Sequence, residues 1–182
     1  MTSYVALIRG VAPSIKNRNN ASILKVLGEM DVLAGVVSVL SSGNYVFASG
    51  ERSTTKLEES ITQALRASTG AELLTIVRSQ EQIQALVDEN PLADLPHGRG
   101  SYQLVTFFKH PTDLGIELPH QPEGKAFKLA DSVGGALFSV TDNTATQGTI
   151  DTMAWLERQY SKDLTSRTPL TLRKILKKMQ QL

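Results

Sequence analysis

Apolar and polar positions along roughly the first ninety residues predict alternating strands and helices. Tyr4–Ile8 is a nearly continuous apolar run, typical of a strand buried on both faces, and Leu73–Val77 is a second such run. Ala21–Met30 carries its apolar residues at helical spacing. A second helix is predicted from a capping box at Thr55–Glu58 to a C-cap glycine, Gly70.

A β-hairpin is predicted between these two helices, over Gly35–Ser49. Blocks rich in Val, Leu, Tyr and Phe flank the turn Ser41–Asn44, and such residues favour a pleated, half-buried surface. Gly43 and Asn44 tolerate the positive φ that a tight reversal needs. The resulting order, β-α-β-β-α-β, predicts the α+β class. It also predicts a ferredoxin-like first half, with an antiparallel sheet and both helices on one face.

The second half of the chain shows a weaker version of this pattern. A helix opens at the capping box Ser79–Gln82, and Pro and Gly then concentrate in Asn90–Gly100. A strand is then predicted at Tyr102–Phe108, followed by an irregular connection at 111–124 and a hairpin formed by Lys125–Ala130 and Ala136–Thr141. Two helices follow, one at Asp151–Tyr160 and a last one after Thr168-Pro169. We therefore predict a ferredoxin-like subdomain at 1–90, a connecting loop at 91–100, and a degenerate α+β subdomain at 101–182 packed on the first.

Composition and charge change this picture little. The chain has 182 residues, 41% hydrophobic and 20% charged, and a net charge of +1, so overall charge gives no reason to expect nucleic acid or an acidic membrane as partner. Cysteine is absent, which excludes disulfides and thiolate chemistry. No secretory signal pattern is seen, and no segment approaches the roughly 20 apolar residues that span a bilayer. We expect a cytoplasmic protein without membrane attachment.

Three short motifs give the chain a family resemblance. They are Ala6–Gly10, the pair Lys16-Asn17, and the turn Ser42–Asn44 that leads into Tyr45–Phe47. In this order they resemble DUF1697, a family of mostly bacterial proteins of unknown function, over roughly the first 90 residues and more loosely beyond. The resemblance implies a two-part α+β protein with ferredoxin-like character and no established activity.

The resemblance also indicates where a family site would lie. The matching residues are Arg9, Gly10, Lys16, Asn17, Ser42, Gly43, Asn44 and, near the C-terminus, Arg167. Elsewhere Ala12–Ile15 replaces the family's Asn-Val-Gly-Gly, Ser41 replaces Gln, and Thr165–Thr171 lacks the family's Asn-Trp-Asn. The family's Gly-rich loop, which contains Arg, Ser and Lys, is replaced in this chain by Asn143–Gly148. A family site assembled from both halves would therefore be altered in this chain.

Arg9 and Lys16 are the candidate contacts for a small anionic ligand. Arg9 follows the first strand, Lys16 and Arg18 lie in the loop after it, and the Ser42–Asn44 turn joins the second and third strands. Cationic side chains and free turn N–H groups together suit a phosphate or a carboxylate. A purely structural interpretation competes with this one. In it, Arg9 bonds carbonyl groups at the strand end, and the turn only reverses the chain.

RNA binding is an alternative, because RNA-recognition modules share the predicted topology and stack bases on aromatic residues of the central strands. Alignment of the hairpin turn with that module's main motif places Asn44 and Val46 at the stacking positions. Tyr45 and Phe47 then fall at core positions, which argues against base stacking. The last helix offers a basic face instead, formed by Arg173, Lys174, Lys177 and Lys178. Such a face is either a polyanion-binding ridge or a solvated surface with cations near the helix C-terminus.

No catalytic or metal motif stands out. His97, His110 and His120 are 13 and 10 residues apart in loop-rich sequence and match no local metal motif, so no metal or cofactor is predicted. Nucleophile-elbow, Walker and dinucleotide-binding patterns are also absent. An enzyme with unidentified catalytic residues is a third interpretation. We also expect that an uncovered edge of the four-stranded sheet can support a homodimer.

Overall fold

The computed structural model describes residues 1–144 and 148–182, with the backbone alone at 148–150. Its strands are β1 (Thr2–Ile8), β2 (Ala34–Ser38), β3 (Asn44–Ser49), β4 (Thr75–Ser79), β5 (Ser101–Phe108), β6 (Phe127–Val133), β7 (Ala136–Asp142) and β8 (Leu164–Arg167). Its helices are α1 (Asn20–Gly28), α2 (Thr54–Thr69), α3 (Gln80–Asp88), α4 (Gly148–Gln159) and α5 (Pro169–Met179). The described residues form a mixed α+β chain with two four-stranded antiparallel sheets, which confirms the predicted class. Among them, no helix has the length and apolar character needed to cross a bilayer.

Two compact units divide the chain. The first comprises Met1–Gln84 together with Arg173–Leu182, and the second comprises Ala85–Leu172. This division differs from the predicted one, which placed the whole C-terminus in the second part. The end of α5 contacts the strands of the first unit, since the Ser3 hydroxyl donates to the Met179 carbonyl at 3.2 Å. Sequence order alone does not show such a return of the chain.

The sheet of the first unit has the strand order β2-β3-β1-β4, with antiparallel neighbours throughout. The predicted order of elements, β-α-β-β-α-β, is confirmed. α1 and α2 pack on one face of the sheet, where Ile23, Leu57 and Ile61 share a core with Tyr45 and Phe47. Burial of these apolar side chains is the main favourable contribution to folding of the unit.

The ends of α2 are set by capping side chains. Gly70 caps the C-terminus with φ 69°, as predicted. The capping box predicted at Thr55–Glu58 is wrong, because the N-cap is Ser53, whose side chain accepts the Lys56 N–H at 3.3 Å. The buried carboxylate of Glu58 accepts the Val77 N–H of β4 at 2.8 Å instead.

The other face of the same sheet is covered as well. Val5, Leu7, Val46 and Ile76 lie at alternate positions to the helix-facing residues and are fully buried. β1 is therefore buried on both faces over Tyr4–Ile8, as its continuous apolar run predicted.

The sheet of the second unit, β6-β7-β5-β8, repeats the strand order of the first. α4 packs on one face through Leu156, which shares a core with Phe108, Phe127 and Leu137. The connection between β5 and β6, residues 109–126, contains no helix, whereas the first unit has α1 at this point. The second unit thus keeps the sheet of the first and lacks its first helix.

Two details of the second unit differ from the prediction. The hairpin turn lies at Gly134-Gly135, and the preceding strand continues to Val133 instead of stopping at Ala130. The strand β8, Leu164–Arg167, was not predicted, because four residues with two hydroxyl side chains carry too short a pattern. β8 pairs with the central strand β5 and completes the sheet.

Candidate functional site

The end of β1 meets the turn between β2 and β3 at one edge of the first unit. The register of β1 against β3 pairs Leu7 with Asn44, and the Ile8 N–H donates to the Gly43 carbonyl at 2.7 Å. The turn therefore lies directly beside the residues that follow β1. We call this edge the β1 rim and define it as Arg9, Gly10, Ser42, Gly43 and Asn44.

Gly43 is required by the close approach of the two chain segments. Its φ is +80°, and a Cβ here would collide with the Ile8 carbonyl oxygen and lie 3.0 Å from Val11 Cγ2. Gly10 is also left-handed, with φ +94°. Both glycines of the family pattern therefore serve the path of the main chain.

Asn44 closes the turn and does not face solvent. Its side chain is fully buried, and its Nδ2 donates to the Val39 carbonyl at 2.9 Å and to Ser42 Oγ at 3.1 Å. The structure thus gives Asn44 a structural role. Ser42 is exposed, and because its Oγ accepts the amide N–H, its own proton is available for donation.

The loop between β1 and α1 is held to the β1 rim by hydrogen bonds. The Arg9 N–H donates to the Leu74 carbonyl at 2.9 Å. The Arg18 guanidinium donates a hydrogen bond through Nη2 to the Gly10 carbonyl at 2.7 Å. These bonds fix the main chain at Arg9 and Gly10 and leave Lys16 exposed on the outer part of the loop.

Lys16 and Asn17 line a groove beside α1. This α1 groove has a volume of about 500 Å³ and is lined by Lys16, Asn17, Ser22, Lys25, Val26, Glu29 and Ser68. Asn17 fixes one wall, because its Nδ2 donates to the Thr69 carbonyl at the end of α2 at 2.8 Å. The Lys25 ammonium is 3.9 Å from the Glu29 carboxylate, and both groups are highly exposed, so this ion pair is weak. None of the β1 rim residues lines the groove.

The sequence contains a signal for most of the groove residues that were missed. Ser22, Lys25, Val26 and Glu29 recur at i, i+3, i+4 and i+7, which places the first three on one face of α1 and Glu29 at its C-cap. Their proximity to Lys16 follows only from the path of the loop. Ser68 belongs to α2, and no local pattern links it to this site.

Arg167, the predicted contact near the C-terminus, lies in β8 of the second unit. Its Nη1 donates to Thr165 Oγ1 at 2.7 Å and to the Ser166 carbonyl at 2.8 Å. Burial lowers the pKa of the Arg167 guanidinium to about 10. These two hydrogen bonds are made within its own strand.

Arg78 in β4 is a second partly buried arginine, which no pattern in the sequence indicated. Its Nη1 donates to the Val77 carbonyl at 2.8 Å and lies 3.7 Å from the Glu58 carboxylate. Burial lowers the pKa of Arg78, and the neighbouring Glu58 charge partly opposes this change.

The sheet of the first unit offers no open platform for stacked bases in its described residues. Tyr45 and Phe47 lie in the core beneath α1 and α2, as predicted. Burial raises the pKa of Tyr45 to about 12, and its hydroxyl has no hydrogen-bond partner in the described part of the chain. On the other face Val46 is fully buried as well. Base stacking on this sheet would therefore require an exposed surface that these residues do not provide.

A basic groove lies along the end of α5, where the sequence showed only a basic helix face. This lysine groove has a volume of about 350 Å³ and is lined by Ser38, Val39, Lys174, Lys177, Lys178 and Gln181. Arg173, the fourth cation of the predicted face, does not line it. The helical spacing of the lysines is visible in the sequence, whereas only the tertiary structure shows that Ser38 and Val39, at the end of β2, form the opposite wall.

The second unit has a groove of mixed charge. It measures about 420 Å³ and is lined by Gly100, Ser101, Gln121, Ala126, Phe127, Lys128, Val140, Asp142 and Thr144. Hydrogen bonds from Thr144 hold the pKa of Asp142 below its usual value. With one lysine and one carboxylate, this groove does not favour an anion. Residues 145–147 of the altered family loop Asn143–Gly148 lie outside the described residues.

The histidines form no metal site in the part of the chain that the structure describes, where no group of three or more His, Cys, Asp or Glu side chains could hold a metal ion. His97 has a structural contact instead. Its Nδ1 accepts the Gln103 N–H at 3.1 Å, and its ring centroid is 4.9 Å from that of Tyr102.

Comparisons with known proteins agree with this fold and assign no activity. A family model described as a protein of unknown function, DUF1697, matches residues 1–125. The solved structure of a conserved bacterial protein from Streptococcus pneumoniae is similar over 99% of both chains, with 19% sequence identity and a TM-score of 0.67. This similarity shows a shared fold. No functionally curated protein matches the chain.

Proposed function

Since the chain belongs to DUF1697, a family of proteins of unknown function, we propose its function from its geometry: the first unit binds a small anionic ligand beside the loop between β1 and α1. One observation carries this proposal. Lys16 and Lys25, from the loop and from α1, line the same groove as the exposed Ser68. Ser22 holds the loop to α1, because its hydroxyl donates to the Lys16 carbonyl at 2.6 Å. Ammonium groups and a hydroxyl donor are groups that bind a carboxylate or a phosphate.

The charge of the α1 groove favours a small anion. Two lysines and one glutamate line it, so it carries one net positive charge. Lysine acts as a point charge without the fixed fork of arginine, so the groove recognises charge more than shape. Glu29 is highly exposed and pairs only weakly with Lys25, so a bound anion can compete for this lysine.

The other predicted residues have structural roles around the proposed site. Asn17 holds the groove wall to α2. Gly10, Gly43 and Asn44 set the path of the β1 rim. Arg9 and the exposed Ser42 belong to the β1 rim, which does not line the groove, and we keep them only as proposed contacts for a ligand that extends beyond the groove. Arg167 is not included, because it lies in β8 of the second unit and does not line the α1 groove.

We also propose, as the sequence led us to expect, that the chain forms a homodimer and is located in the cytoplasm of a bacterium. β2 and β4 are the edge strands of the first sheet, and a homodimer would form through such an edge. Light scattering of the purified chain tests this. A cytoplasmic location in a bacterium is tested by fractionation of a bacterial host. RNA binding through the sheet face is not proposed, because both faces are buried.

Thermal unfolding tests the anion site directly. Inorganic phosphate and citrate are titrated into the full chain, with sodium chloride as the control for ionic strength. A ligand that binds only the folded state at 100 times its Kd stabilises it by about 2.7 kcal/mol, a shift of several degrees in Tm.

The decisive comparison is between two double variants of equal charge loss. K16Q/K25Q removes both groove cations, whereas R52Q/R66Q removes two exposed cations that do not line the groove. We expect the ligand-induced rise in Tm to disappear in the first variant and to persist in the second. Equal rises in both variants, or none in the wild type with either probe, would refute the proposal.

A further inference from the structure

We infer that the lysine groove at the end of α5 binds a ligand with two or more linked phosphates, held by its phosphate chain. This site is distinct from the α1 groove and shares no lining residue with it. Three lysines line a volume of about 350 Å³, which is at the small end of ligand pockets.

The three lysines are presented by a well-anchored helix. Lys174, Lys177 and Lys178 recur at i, i+3 and i+4, so they share one face of α5. The opposite face is buried through Ile175, Leu176 and Met179. Because that face is fixed in the core, the lysine stems start from fixed positions on the groove wall.

The positive charge of the groove is not neutralised within the described part of the chain. Lys25, Lys56 and Lys125 each lie within 4.0 Å of a carboxylate. In the described residues, none of the three groove lysines does, and Lys178 Nζ only donates to Gln181 Oε1 at 3.4 Å. Three like charges at one groove repel each other, and a multivalent anion removes this repulsion.

The helix dipole explains only part of this arrangement. Cations in the last turn of a helix are favourable, and Lys177 and Lys178 lie there. Lys174 lies outside the last turn, so the dipole gives no reason for its position. The groove does, because Lys174 lines it together with the other two lysines.

The rest of the lining selects the class of ligand. Among the described residues, no aromatic residue and no arginine lines the groove, so it lacks both a stacking surface for a base and a bidentate fork. Ser38 Oγ accepts the Asn20 Nδ2–H at 3.2 Å, so its own proton can be donated to a phosphate oxygen. Such a lining recognises a compact phosphate chain and ignores what is attached to it.

Isothermal titration with inorganic triphosphate tests this inference on the full chain at low salt. We expect saturable binding of one triphosphate, with ATP within about threefold of the same Kd and monophosphate at least about tenfold weaker. Affinity falls as salt rises. Absence of saturable binding below about 1 mM, or a Kd for single-stranded oligonucleotides that keeps improving with length, would overturn the inference.

Two triple variants of equal charge loss locate the site. K174Q/K177Q/K178Q should weaken triphosphate binding by at least about tenfold, whereas R52Q/R66Q/R173Q should change it by less than about threefold. Equal losses in both variants would mean that overall charge, and not the groove, attracts the ligand. K16Q/K25Q separates the two proposals, because it should leave triphosphate binding within about threefold. Circular dichroism confirms that each variant folds.

Discussion

Arg78 in β4 and Arg167 in β8 make the same main-chain contact in their two sheets. In each case Nη1 donates at 2.8 Å to the carbonyl of the preceding residue. Their register partners on the central strands are Val5 and Val105. The next residue after each arginine then caps a helix through its side chain. Strand register therefore aligns the two halves of the chain, which the sequence did not align.

Replacement of either arginine by alanine should destabilise the protein. Each substitution removes a partly buried guanidinium and its hydrogen bonds, so we expect R78A and R167A each to lower the free energy of unfolding by roughly 2–4 kcal/mol. Urea denaturation measures this. R66A, at an exposed position of α2, should change stability by less than about 0.5 kcal/mol. If R78A or R167A changed the free energy of unfolding as little as R66A does, the two arginines would be equivalent in position but would not stabilise the fold.

Gly43 and Gly135 provide a second matched pair. Their φ values are +80° and +78°, but an added Cβ meets the Ile8 carbonyl oxygen at Gly43 and has no heavy atom of the described residues within 4 Å at Gly135. G135A should cost roughly 1–2 kcal/mol for the left-handed conformation alone. G43A adds a clash with the main chain and should cost at least about 3 kcal/mol. Similar urea midpoints for the two variants would show that β1 does not approach the turn so closely.

Tyr45 should make the protein less stable in alkali. Burial raises the pKa of Tyr45 to about 12, above its ordinary value of 10.0, so the folded state retains a proton that the unfolded state loses. This contribution is fully present below pH 10 and is lost as pH rises from about 10 to about 12. By pH 11 the wild type should lose about 1.4 kcal/mol relative to Y45F.

The comparison with Y45F cancels the other groups that titrate in this range. The two proteins should have parallel stability curves up to about pH 9 and diverge above it. Y45F also removes a buried hydroxyl that has no partner among the described residues, so its stability at neutral pH should not fall. Parallel curves up to pH 11 would contradict the assigned burial of the phenol.

Local sequence patterns predicted most of the strands and helices of the first unit. Apolar periodicity placed its strands and helices, and the capping box at Ser79 and Gln82 forms as expected, with bonds of 2.9 and 3.3 Å. These signals depend on residues within four positions of each other, which a sequence displays directly. The N-cap of α2 was misplaced because Thr55 and Ser53 carry similar side chains and only the fold decides between them.

Contacts between distant residues were beyond sequence patterns. The β1 rim was predicted because antiparallel neighbours bring a strand end and a turn together. By contrast, Ser68 reaches the α1 groove across the end of α2, and the end of β2 meets the lysines of α5 across more than 130 residues of chain. Such meetings depend on packing and not on spacing.

Chemical-shift mapping tests the central proposal most directly. Inorganic phosphate, and citrate in a second series, are titrated into ¹⁵N-labelled full-length chain against a sodium chloride series of equal ionic strength. We predict saturable shifts of the Lys16, Asn17, Ser22 and Lys25 amides, which the chloride series does not reproduce. Saturable shifts confined to residues outside the α1 groove, or no difference between the series, would contradict the assignment of the anion site to the α1 groove.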